Sequence, residues 1–183
     1  MGEMQFAAEF QTAMNNGAAM VDKFMYREAM SKLGAAVSVV TSNGEAGLCG
    51  ATVSAVCSVS DSPATLLVCV NQSSRSNSVI KTNRVLCVNV LAGINRRVAD
   101  LFAGSTGIPS DERFSHIRYS SLKTGAPVLD EAIVSFDCEL DQVIEAGTHS
   151  IFLARVVDIR GNDAEACLVY FGRQYISVSA SPE

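Results

Sequence analysis

Apolar positions recur at helical spacing from Asp22 onward: Phe24, Met25, Ala29, Met30 and Leu33 fall on one face, and Gly34 marks a stop. Asp22 stands where a carboxylate can accept the free amides of a first helical turn. Beyond Gly34 charge nearly vanishes, with only Glu45 and Asp61 before Ser74. Three strand-like runs fill that window: Ala35–Ser42, Leu48–Ser60 and Thr65–Asn71. Asn43-Gly44 predicts a two-residue hairpin bend between the first two, and Asp61-Ser62-Pro63 predicts a stop before the third. Strands neutral on both faces must be covered on both, by protein or by a ligand.

A short helix over Asn77–Thr82, a strand over Val85–Leu91 and a helix over Ile94–Phe102, closed by Ala103-Gly104, follow in the pattern. Residues 105–124 are polar and irregular. Strands are predicted over Ala132–Ile144, His149–Arg160, Leu168–Gly172 and Gln174–Ser179. In the first of these Val134, Phe136, Cys138 and Leu140 alternate with Ser135, Asp137, Glu139 and Asp141, which predicts one dry and one wet face. Around seven strands joined mostly by short turns give a mainly β, antiparallel barrel or sandwich with a few flanking helices. No βαβ alternation and no internal repeat is present. Residues 1–20, rich in Ala and Met and broken at Asn15-Asn16-Gly17, are expected to form an N-terminal extension, leaving 21–183 as one domain.

Composition narrows the class. The 183 residues fit one domain. Apolar residues reach 48% and charged residues only 18%, too apolar for disorder. The longest charge-free stretch, Ala46–Ser60, is studded with Gly, Thr and Ser, so it is no bilayer helix. Fourteen basic against nineteen acidic residues give a net charge of −5, without the electrostatic footprint of a nucleic-acid binder. Six cysteines, at 49, 57, 69, 87, 138 and 167, include no C-x-x-C pair, and only His116 and His149 could join them. No metal site is expected, and thiols inside apolar runs read as reduced core residues of a cytoplasmic protein. The first residues lack the basic and apolar regions of a signal peptide.

The sequence lacks G-x-G-x-x-G, a P-loop, G-x-S-x-G and H-E-x-x-H, so the common dinucleotide, nucleotide and hydrolase signatures are missing. Three features remain. Gly50–Ser58 is built of small and hydroxyl side chains where a plain core would carry Leu, Ile and Phe, which admits a flat ligand close to the backbone. Asn71-Gln72-Ser73-Ser74-Arg75-Ser76-Asn77 leads from a strand into a helix, an anion site in composition; the alternative is that Ser74 or Ser76 merely caps the helix and Arg75 is solvated. His149 follows Ala146-Gly147-Thr148 at a strand entrance, where a lone histidine is more often structural than catalytic. The aromatics of Tyr170-Phe171-Gly172-Arg173-Gln174-Tyr175 fit a core hairpin equally well.

Together these segments resemble the short-chain flavin reductase family, the reductase components of two-component flavin-dependent monooxygenases. The resemblance rests on TVSAVCSVSDSP, SRS, LCVNVL, LFAG, ERF, SFDCEL, GTHSIFLA and VYFGRQY, in order within residues 26–175. It implies a split β-barrel with Greek-key connections, a homodimer, FMN or FAD as flavin, and NADH, less so NADPH, as reductant. It implies that the flavin ring lies along Thr52, Val53, Ser54, Ala55, Val56, Cys57 and Ser58. The phosphate end would meet Asn71, Ser73, Ser74, Arg75 and Ser76, with support from Phe102, Ala103 and Gly104. His149 would contact the nicotinamide nucleotide, as the residue assigned to catalysis, with Arg173 and Tyr175 nearby. The reduced flavin would pass by diffusion to a monooxygenase hydroxylating an aromatic, phenol-type compound. The alternatives are a flavin-binding barrel without nicotinamide turnover and a structural β-barrel module.

Overall fold

The computed structural model describes residues 21–179. The expected extension over 1–20 lies outside them. Helix α1 (Lys23–Ser31) opens as predicted, with the Asp22 carboxylate accepting from Phe24 N–H at 2.8 Å and Met25 N–H at 3.2 Å. It ends at Lys32 rather than Gly34, because Lys32 and Leu33 N–H bond three residues back and tighten the last turn.

The chain then runs through β1 (Ala35–Ala36), β2 (Ser38–Ser42), β3 (Cys49–Val53), β4 (Val56–Asp61), β5 (Ala64–Asn71), α2 (Arg75–Asn83), β6 (Val85–Leu91) and α3 (Arg96–Ala103). A 3-10 turn at Arg113–His116 precedes β7 (Tyr119–Ser121), β8 (Pro127–Leu129), β9 (Ala132–Ala146), β10 (His149–Gly161), β11 (Ala166–Phe171) and β12 (Gln174–Ser179). Seven strands form one antiparallel sheet in the order β3-β2-β6-β9-β10-β5-β4, with smaller sheets β1-β11-β12 and β7-β8 beside it. β3 and β4 occupy the two opposite edges of the large sheet, yet only Ser54 and Ala55 separate them. Three residue steps span at most about 11 Å, so the sheet must roll until its edges nearly meet. This is the split barrel.

Two expected strands are interrupted. Ala35–Ser42 breaks at Val37, whose N–H goes to Leu168 O and whose carbonyl takes Leu91 N–H, so β1 and β2 pair with different sheets. Leu48–Ser60 breaks at Ser54-Ala55, where the chain crosses the split. The Asn43-Gly44 bend is not a two-residue hairpin: Ser42 pairs with Cys49, and six residues intervene. The side chain of Asn83, at the end of α2, organises that loop, donating to Gly47 O and Ser42 Oγ at 3.0 Å and accepting from Ala46 N–H at 2.8 Å.

The barrel interior holds Val40, Val68, Leu86, Val88 and Phe152, closed by Ile80 of α2. A second cluster packs Val98, Leu101 and Phe102 of α3 on Val39, Leu91 and Leu168. The predicted wet face of β9 is only half wet, since Ser135 and Asp137 are fully buried. Asp137 is held by Thr124, through its backbone N–H at 2.8 Å and through its hydroxyl. Ser135 donates to Asn89 Oδ1 at 2.9 Å, which also takes Leu129 N–H at 2.9 Å, while Asn89 Nδ2 donates to Val39 O and Pro127 O. Period-two polarity therefore marks a buried hydrogen-bond layer beneath the β7-β8 sheet rather than a solvent face. All six cysteines are free thiols. Burial, then the Asp137 carboxylate, pushes the Cys138 thiol up to about 12.

Candidate functional site

A cavity of about 530 Å³ opens where the β3 edge, the end of β5, the start of α2 and the end of α3 converge. Its floor is Gly50, Ala51, Thr52, Val53, Ser54 and Ala55. Close packing explains the small residues. A Cβ on Gly50 would sit 2.6 Å from Phe102 Cε1, so only glycine lets β3 lie against α3 here. Thr52 Oγ1 donates to Ala99 O at 2.7 Å and fixes the same approach. β3 ends the sheet, so one side of its ladder is unpaired. At the crossing, Ala55 O accepts Cys69 N–H at 3.0 Å; among the described residues the Ser54 and Ala55 N–H groups have no protein acceptor. Open amides above a floor of small side chains fit the polar edge of a flat heterocycle.

The far wall is the N-terminus of α2. Ser74 caps it by accepting Asn77 N–H at 3.3 Å, and Asn71 Oδ1 takes both the N–H and the hydroxyl of Ser73 at 2.8 Å. Asn77, almost fully buried, anchors this turn through Nδ2 to Val70 O and Ser150 Oγ, both at 3.0 Å. Arg75 crosses to Leu48 O at 3.1 Å and lines the cavity beside Ser74 and Ser76. Free helix N–H groups, hydroxyls and a guanidinium make this wall suited to phosphate. His149 opens β10 opposite Asn71, lines the same cavity, and keeps its Nδ1 2.9 Å from Thr148 Oγ1.

The cavity thus gathers Thr52, Val53, Ser54, Ala55, Asn71, Ser74, Arg75, Ser76, Phe102, Ala103 and His149. Other residues of the sequence reading do not line it. Val56 and Cys57 lie past the crossing and line a second cavity of about 1000 Å³, together with Ser54 and Ala55; Ser58 is exposed further along β4. Ser73 turns back onto Asn71, and Gly104 ends α3 in the left-handed conformation that favours glycine, at φ 81°. Arg173 is held away by an ion pair with Glu28 at 2.7 Å, and Tyr175 packs edge-on against Tyr170 beneath Arg96. Burial, then Asp100, pushes the Tyr175 hydroxyl upward. Composition misses Ser110 and Arg113, which also line the cavity. Arg113 reaches Ile108 O at 3.2 Å and Phe102 O at 3.5 Å. Its signal is the charged Asp111-Glu112-Arg113 ahead of Phe114, which stacks edge-on with Phe102 at 5.0 Å.

Residues 30–179 match the family described as "flavin reductase like domain". The chain belongs to the flavin reductase family. It is 48% identical over 158 residues to the FMN reductase (NADH) RutF of Serratia proteamaculans, covering 86% of this chain and 89% of that protein. Among solved structures it superposes with a TM-score of 0.81 on BorF, the flavin reductase component of a bacterial two-component tryptophan halogenase, at 28% identity over 87% of this chain and 100% of that one. The NADH:FAD oxidoreductase SgcE6 of Streptomyces globisporus, in complex with NAD and FAD fragments, gives a TM-score of 0.79 at 25% identity over 91% and 100%. The flavin reductase fold is the split barrel described above, and the class of enzyme is the one the sequence motifs imply. Among the described residues no helix is long and apolar enough to cross a membrane, and no cluster of His, Cys, Asp and Glu could hold a metal.

Proposed function

We propose that this flavin reductase is an NADH:FMN oxidoreductase. Its floor of small residues carries the flavin ring, and the α2 N-terminus takes the phosphate. The observation that supports this best is one cavity holding both the open backbone at Ser54-Ala55 and the capped helix start at Ser74. FMN is preferred over FAD because relatives 48% and 49% identical to this chain bear the name FMN reductase (NADH). When bound, a flavin supplies the acceptor for hydride from the reduced nicotinamide, and the chemistry is the cofactor's. The chain's work is placement. Gly50, Ala51 and Ala55 allow close approach, the Ser54 and Ala55 amides face the ring edge, and Arg75 and Ser76 hold the phosphate. His149, at the mouth, orients the nicotinamide. The reduced flavin then leaves for a flavin-dependent monooxygenase acting on an aromatic compound.

NADH consumption by the purified protein is expected to depend on added FMN, and a rate that ignores added flavin would overturn the assignment. His149→Ala should raise KM for NADH about tenfold with FMN affinity unchanged. An unaltered NADH dependence removes the role given to His149.

A homodimer is part of the same proposal. Phe24 and Leu33 are 76% and 63% exposed, and the second cavity beside them is apolar and reaches Ser54-Ala55. A second copy covers this face. Light scattering at micromolar concentration should give twice the 19.4 kDa chain mass; a monomer throughout would count against the dimer.

A further inference from the structure

Where β9 turns back into β10, the carboxylate of Glu145 gathers side chains from three separate elements. Oε2 accepts from Gln72 Nε2 at 2.6 Å and from Ser150 Oγ at 2.7 Å, while Oε1 pairs with Lys81 Nζ at 2.7 Å. None of these four side chains lines the cavity, but each leads to it. Gln72 precedes the Ser73–Asn77 turn; its Nε2 also donates to His149 O at 3.1 Å, and its backbone N–H donates to Thr148 O at 3.0 Å. Ser150 follows His149, and its hydroxyl accepts from the buried Asn77 Nδ2. Lys81 lies one turn further along α2 from Asn77. The Lys81 hydrogen bond first, and the Ser150 hydroxyl next, hold the Glu145 carboxyl below its ordinary range, so it is ionised at neutral pH.

We propose that Glu145 is a positioning residue, whose carboxylate locks the hairpin carrying His149 against the loop and helix that form the phosphate wall. This rests on reading the cavity as the flavin site and His149 as the nicotinamide contact. Glu145 and Lys81 are both partly exposed, and such a pair contributes little to stability. The contribution is instead geometric. Oε2 holds the two neutral donors that touch the His149 carbonyl and Asn77, so it sets how far the histidine stands from the Ser74–Ser76 turn. The turn itself keeps its own bonds from Ser74, Asn71 and Asn77, so the flavin end is insulated from the change.

The test is a mutant cycle on the full-length protein. Glu145→Ala is expected to raise KM for NADH roughly five- to tenfold, with kcat and the Kd for FMN within about twofold. Gln72→Ala should produce a similar rise, and the double variant should be no worse than the stronger single, because both remove one connection. Glu145→Gln keeps one acceptor oxygen and should fall between wild type and Glu145→Ala. Tm should move by no more than about 2 °C in all of them. An unchanged KM, additive effects, or a loss that follows Tm would overturn the positioning role. If the wild-type protein itself shows no FMN-dependent NADH oxidation, the flavin reductase reading fails instead, so the two failures are distinct.

Discussion

Ala55→Trp should weaken FMN binding about 100-fold and reduce NADH oxidation in step, while the protein remains folded. Ala55 is exposed at the crossing between β3 and β4, so an indole there meets no core neighbour and demands no repacking. It lines the cavity beside Gly50, Ala51 and Ser54, so an indole there takes up space that the proposed flavin ring needs. Flavin fluorescence titration gives the affinity, and circular dichroism checks the fold. Ala55→Ser, which preserves the backbone and adds one small group, should stay within about threefold of wild type. Retained tight FMN binding by the Trp variant would place the ring elsewhere.

The largest loss of stability is expected at a residue far from any ligand. Asn89→Leu should destabilise the protein by about 3 kcal/mol or more, a fall of roughly 10 °C in Tm for a chain of this size. Asn89 is fully buried, and its amide serves Val39 O, Pro127 O, Leu129 N–H and the Ser135 hydroxyl together. Leucine matches its bulk but leaves these groups without partners in a dry layer. Thermal melts of Asn89→Leu beside Arg155→Ala, which removes an exposed pair with Glu139, give the comparison; the arginine variant should change by less than about 0.5 kcal/mol. A loss under about 1 kcal/mol at Asn89 would show the network to be dispensable.

Sequence patterning made most strands of the large sheet, the cap at Asp22 and the small-residue floor legible, because each depends on local chemistry. β7 and β8 carry no such pattern, and Ser74 and Ser76 are equal candidates for the α2 cap. Long-range pairing hides the remainder. Nothing local distinguishes Leu48–Ser60 as one strand from two strands at opposite sheet edges; the break at Ser54-Ala55 exists because the barrel must close there. Asn43-Gly44 has the composition of a tight bend, yet Asn83, forty residues on in sequence, draws the loop out to six residues. Ser135 and Asp137 read as wet because polarity predicts exposure only when no partner waits inside, and Asn89 and Thr124 wait there. Arg173 and Tyr175 stand outside the first cavity, Arg173 paired with Glu28 and lining the second, Tyr175 packed on Tyr170. Arg113 stands in the ERF segment of the resemblance, but a stretch without periodicity gives no sign that it lines the cavity.

Ser54 and Ala55 belong to two cavities at once, the one proposed for flavin on one side and the apolar groove near α1 on the other. A two-residue partition this thin makes occupancy of either side a property of both. If a second chain fills the groove, it stiffens the sheet seam on which the cofactor rests, and by thermodynamic reciprocity the cofactor tightens the pair of chains by the same factor. On the proposed dimer, dilution would then release flavin and separate subunits in one coupled transition, so that oxidised flavin stays bound best where chains are abundant.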